Sequence, residues 1–235
     1  MTSTRNRLLC ALISIAFMAV VSSSASAHGL AGRDAAFVAA GTGGRFFPFM
    51  YLGAKHMLTG YDHLLFILGV IFFLYRLSHV ALYVTMFSLG HSLTLLTGVL
   101  GHIQLDPYLI DALIGLSVVY KAIDNLDGFT TLFWSGIHQK TAVLVFGLFH
   151  GLGLATKLQS LDLSPVGLLP NLIAFNLGVE FGQLLALTVL LGLMALWRRQ
   201  ETFQRQALLA NAAILTAGLV LIGYQLTGFL VNPGA

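Results

Sequence analysis

From residue 168 to residue 197 the chain runs for thirty positions with a single charged side chain, Glu180. A helix rises 1.5 Å per residue, and about 20 apolar residues cross a hydrocarbon core about 30 Å thick. This stretch therefore has both the length and the polarity of a bilayer span. Further apolar runs at about 48–75, 79–100, 107–126, 139–157 and 207–230 bring the expected number of spans to six. With 57% hydrophobic and only 9% charged residues, the chain cannot present the surface of a soluble domain. The expected fold class is all-α: a polytopic membrane protein with a six-helix transmembrane bundle over residues 46–235.

The N-terminus reads differently. Residues 1–27 have a basic start (Arg5, Arg7), an apolar run from Leu8 to Val21 and an Ala25-Ser26-Ala27 ending, the layout of a secretory signal peptide. An uncleaved first helix is the alternative, against which its short apolar core argues. Cleavage leaves His28 at the new terminus, followed by a glycine- and alanine-rich periplasmic lead-in over 28–45. The one cysteine, Cys10, falls inside the leader, so the expected mature chain has no thiol for disulfides or thiolate metal sites. Without Arg5 and Arg7 the formal charge of +3 falls close to neutral, which gives no nucleic-acid signal.

Loop charges set the orientation, since Lys and Arg near span ends stay in the cytoplasm. Starting from an outer N-terminus, the inner loops carry Arg76, Lys140, Arg198, Arg199 and Arg205, and the outer loops beyond the lead-in carry only Lys157. The expected location is the bacterial inner membrane, with both termini periplasmic. The first span is long enough to break at Gly60. Glycines at 147/151 and 178/182 have the small-xxx-small spacing that lets helices approach closely.

Ionisable groups inside a bilayer persist when they are paired, metal-bound or facing water. In the orientation above, His56, Asp62 and His63 enter from the outer side. His91, His150 and the trio Asn176, Glu180 and Gln183 fall in the same half of the membrane. Asn176, Glu180 and Gln183 share one helical face, and Ser88, His91 and Ser92 form another stripe, with the serines placed to orient the imidazole. Gly147 and Gly151 flank His150 and are expected to leave space beside its ring. His56 and His63 share a face only if Gly60 does not break the helix. The expected metal ligands are His56, Asp62, His63, His91, His150, Glu180 and His28, with Ser88, Ser92, Asn176 and Gln183 behind them. Imidazole and carboxylate without sulfur suit a divalent metal such as Ni, Co, Zn, Fe or Mn. At the inner end Lys121 and Asp124 are three apart and expected to pair, while Asp124 and Asn125 are candidates for an inner gate.

Five segments, His56-Met-Leu-Thr-Gly60-Tyr-Asp62-His63, His91-Ser92-Leu-Thr94, Asp124-Asn125, Phe146-Gly-Leu-Phe-His150-Gly-Leu-Gly153 and Phe175-Asn176-Leu-Gly178-Val-Glu180-Phe-Gly182-Gln183, resemble the HupE/UreJ membrane proteins, in the right order. The resemblance covers essentially the whole mature chain and implies a six-helix inner-membrane nickel permease that supplies hydrogenase or urease maturation. The family's His-x-x-x-Gly-x-Asp-His element, thought to carry the metal, corresponds to His56, Gly60, Asp62 and His63. The His91, His150 and Glu180 motifs belong to the longer arm of the family. Met57 stands where the better-known arm has proline, and Asp124 where glutamate is expected.

Two functions follow. The first is a divalent metal permease, with nickel as the foremost cargo. The alternative is a membrane-embedded metal-dependent hydrolase near the periplasmic face, with Ser88 and Ser92 beside His91 and Asp62 or Glu180 as general base. A metal sensor or store is a third.

Overall fold

A computed structural model describes residues 44–128, 139–159 and 165–232. The expected signal peptide, His28 and the lead-in up to position 43 lie outside the described residues. Among the described residues there are seven helices and no strand: α1 Phe46–Thr59, α2 Tyr61–Ile71, α3 Leu77–Leu100, α4 Pro107–Asn125, α5 Gln139–Gln159, α6 Leu168–Trp197 and α7 Phe203–Val231. Four of them, α3, α5, α6 and α7, are long and apolar enough to cross a membrane. The chain is a multi-pass membrane protein. The expected first span is divided into α1 and α2, and α4 carries Asp111, Lys121 and Asp124 within 19 residues, which lowers its apolarity.

The break falls at Gly60, whose extended backbone (φ −72°, ψ 101°) stops the helical path for one residue. The α4 start is specified locally: the Asp106 side chain accepts hydrogen bonds from the N–H groups of Tyr108 (2.9 Å) and Leu109 (3.3 Å), with Pro107 in the first turn where no donor is needed.

The helices associate mainly in three pairs, α3 with α5, α1 with α6, and α4 with α7. Glycines explain the closeness of each. A Cβ on Gly147 would collide with the carbonyl of Phe87, one on Gly151 with that of His91, and one on Gly178 with that of Met50. Gly218 likewise faces Val119 across the α4/α7 seam. Backbone thus meets backbone, the packing expected for small-xxx-small spacing where lipid removes any hydrophobic drive between helices. Phe181, Leu184, Leu193, Leu208 and Leu219 are exposed on the outer faces of α6 and α7, as lipid-facing residues should be. Phe66, Phe175, Leu95 and Leu172 fill the centre.

At the end of the bundle away from Gly60, Arg198 donates to the carbonyls of Ile71, Phe72 (2.8 Å) and Leu74 (3.1 Å), and its guanidinium lies 4.6 Å from the Tyr75 ring centroid. It satisfies carbonyls that the end of α2 would otherwise leave open.

Candidate metal centre

The Gly60 break builds the site. With a helix restarting at Tyr61, Asp62 and His63 occupy its first turn, and both are buried. The expectation that a break would separate His56 from His63 is overturned: their ring centroids are 5.0 Å apart, because the two half-helices meet at an angle that turns both rings inward. His150 of α5 stands 5.1 Å from His63, and His91 of α3 stands 6.4 Å from it, again centroid to centroid. His63 is the hub, and the four rings come from four helices. His63, His91 and His150 are each at most 3% exposed.

Hydrogen bonding fixes which ring nitrogens are engaged and which are left without a partner. Asp62 Oδ1 accepts from the His63 backbone N–H (2.9 Å) and from its ring Nδ1 (3.0 Å). The Phe146 carbonyl accepts from His150 Nδ1 at 2.8 Å. A carboxylate or carbonyl oxygen only accepts, so both Nδ1 atoms carry the proton, and a neutral ring then has its lone pair on Nε2. His63 Nε2 and His150 Nε2 are buried with no hydrogen-bond partner, as are His56 Nε2 and both nitrogens of His91. Five buried ring nitrogens without partners are costly, and two of them are held as bare lone pairs by an oriented Nδ1–H, the arrangement that prepares a histidine for a metal.

Other residues fall differently from expectation. Asp62 acts first on His63, orienting it. Ser88 and Ser92 do not orient His91; Ser88 donates to Gln183 Oε1 (2.8 Å) and Ser92 accepts from Asn176 Nδ2 (2.7 Å), so the four stitch α3 to α6. The space expected beside His150 at Gly147 and Gly151 is filled by the α3 backbone, which is how His91 and His150 come into range. Glu180 is exposed. At 100° per residue it sits about 40° round α6 from Asn176 and about 60° from Gln183, toward the exposed edge of the stripe the three share. Among the described residues no three His, Cys, Asp or Glu side chains close into a ready-made metal cage.

Away from the histidines, Lys121 pairs with Asp124 as expected, and Gln139 donates to the same carboxylate (3.0 and 3.2 Å). Asn125 donates to the Gly69 carbonyl and to Asn211, each at 2.9 Å. Asp124 and Asn125 line a cavity of about 420 Å³ at this end of the bundle. The sequence reading missed a second polar cluster: Lys157 donates to both oxygens of Asp111 (2.8 and 2.9 Å), and Gln225 joins at 3.3 Å. An acid four residues inside a span was the available signal.

The described residues thus form a helical multi-pass membrane protein with a buried, under-bonded imidazole cluster. The chain belongs to the HupE / UreJ protein family, whose profile matches residues 32–233. No curated protein and no solved structure matches it.

Proposed function

We propose that this protein is a six-pass permease of the inner membrane that carries a divalent metal ion, nickel foremost, inward from the periplasm toward hydrogenase or urease maturation. One observation carries the reading: Nε2 of His63 and of His150 are buried lone pairs without partners, each fixed by an Nδ1–H bond behind it. His56 and His91 complete a set of four imidazoles, a neutral nitrogen donor set that suits Ni, Co or Zn over Mg or Ca. Family membership supports nickel or cobalt among these.

The rings surround a centre without closing a cage, and a transport site has to bind an ion weakly enough to release it. Asp62 supplies the negative charge behind His63 that favours a cation there. In this reading α1 and α2 form one broken span, α4 completes the six, and Glu180 at the rim of α6 is an accessory to ion access, not a ligand. His28, at the periplasmic terminus, would meet the ion first.

The test is metal content by mass spectrometry on detergent-purified protein, wild type beside His63→Ala, followed by Ni²⁺ flux into proteoliposomes. Exchangeable nickel and a flux that the variant lacks are expected. A stoichiometric zinc or iron that does not exchange, with no flux, would overturn the permease and leave the hydrolase.

A further inference from the structure

Each of three site histidines has a phenylalanine one turn away on its own helix, always toward the end that holds the large cavity: Phe66 after His63 on α2, Phe87 before His91 on α3, and Phe146 before His150 on α5. Phe66 packs on the other two rings, and Phe66 and Phe87 pack on the imidazoles above them. Phe66 lies 5.2 Å from Phe87 and 5.9 Å from Phe146, while His150 lies 4.9 Å from Phe87 and 5.6 Å from Phe66. Phe66 and Phe87 are each 2% exposed. The result is a layer of imidazole over a layer of phenyl, in which Phe66 and Phe87 are buried and Phe146 is half-buried.

Beneath it the path resumes. A void of about 10 Å³ touches Phe66 and Phe146 from below, and Val70, Leu74, Lys121 and Gln139 line both this void and the cavity of about 420 Å³. A water needs at least about 10–15 Å³ of such space, so the void holds one at most; at the roughly 30 Å³ a water takes in the liquid, the cavity has room for on the order of a dozen. The cavity walls include Asp124, Asp127 and Gln204, oxygen donors that can accept hydrogen bonds from a cation's water shell. Between a dry nitrogen site and a wet vestibule stands one apolar layer.

We propose that Phe66, Phe87 and Phe146 form the inner gate of the permeation path, in place of Asp124 and Asn125, and that in the closed position they block the leak of hydrated ions. The inference rests on the permease reading. Hydrophobic constrictions of this kind block hydrated ions because no polar group replaces the lost water. Rotation of one ring would open the layer to the void and cavity below, where oxygen ligands replace the imidazoles as the ion leaves them; Mg²⁺, which a nitrogen donor set does not hold, is not delivered to the layer. Phe146 has a double role, since its carbonyl orients His150 while its ring closes the way below.

The test uses full-length protein in proteoliposomes. Phe66→Ala and Phe146→Ala are compared with wild type for Ni²⁺ affinity, Ni²⁺ flux and Mg²⁺ leak, with Phe66→Leu as the conservative control. Expected are an affinity within about threefold of wild type for Phe66→Ala, at least a fivefold rise in Mg²⁺ leak in both alanine variants, and restored exclusion in Phe66→Leu. Unchanged leak in both alanine variants, with nickel flux present in wild type, would overturn the gate and leave the permease standing. A second measurement covers variants that fail to fold: Val70→Cys in a Cys10→Ser background, challenged with a membrane-impermeant maleimide from either side. Labelling only from the side of the large cavity is expected. Labelling from both sides in otherwise wild-type protein would overturn the gate. Absent nickel flux in wild type, with sided labelling intact, would refute transport and retain the barrier as a seal.

Discussion

Gly60→Ala isolates the link between the helix break and metal affinity. The Gly60 backbone, at φ −72° and ψ 101°, is a conformation alanine adopts without strain, so the substitution tests space alone. A Cβ there stands 2.6 Å from His63 Nδ1 and 3.0 Å from Asp62 Oδ1, and ordinary contact begins at 3.4 Å, so the imidazole must withdraw by about 0.8 Å. Such a shift breaks a hydrogen bond that is 3.0 Å long at rest. A hydrogen bond to a charged group contributes about 1.5–3 kcal/mol. Loss of a partner behind a metal-binding histidine typically weakens affinity about 10–100-fold, which is about 1.4–2.8 kcal/mol. The two routes agree. Titration calorimetry with Ni²⁺ on purified protein, with Asp62→Asn alongside, should give that loss for both variants while their unfolding temperatures stay within a few degrees of wild type. Affinity within twofold of wild type in a folded Gly60→Ala protein would show that the Asp62 contact does not prepare His63.

Two further outcomes test the packing. Lys157→Ala leaves Asp111, 7% exposed, with Gln225 as its remaining neutral partner, and is expected to destabilise by about 3–5 kcal/mol in denaturant unfolding. The double variant Asp111→Asn with Lys157→Met should recover most of that loss. Gly178→Val drives a side chain into the Met50 carbonyl and should cost at least about 1–3 kcal/mol, whereas Gly192→Val, with nothing within 4 Å, should stay within about 0.5 kcal/mol of wild type.

Four of the expected spans, α3, α5, α6 and α7, were legible because the signal is long and one-dimensional: α6 begins and ends where its apolar run does. The break at Gly60 was legible too, from a glycine beside polar residues. What the break does was not, since whether His56 and His63 meet depends on the angle between two half-helices, set by packing far along the chain. The common depth of the histidines followed from counting residues, and four rings do converge. Glu180 shows where counting ends: sharing a stripe with Asn176 and Gln183 fixes direction only to within tens of degrees, and on that stripe Glu180 is exposed while Gln183 is buried. The serines were assigned by nearness in sequence, and a neighbouring helix claimed them. Asp111 was overlooked because its partner is 46 residues away.

The three glycine-zipped pairs have a mechanical consequence. His56 travels with the α1/α6 pair, His91 and His150 with α3/α5, and His63 with α2, a short strut that leans chiefly on α4. Within a pair, sliding would drive backbone into backbone; between pairs the links run through side chains, some of them to backbone carbonyls. The pairs are therefore the stiffer bodies, and the four imidazoles lie on the joints between them. A displacement of one body by an ångström would leave every zipped contact intact and still change which lone pairs can point at a common centre.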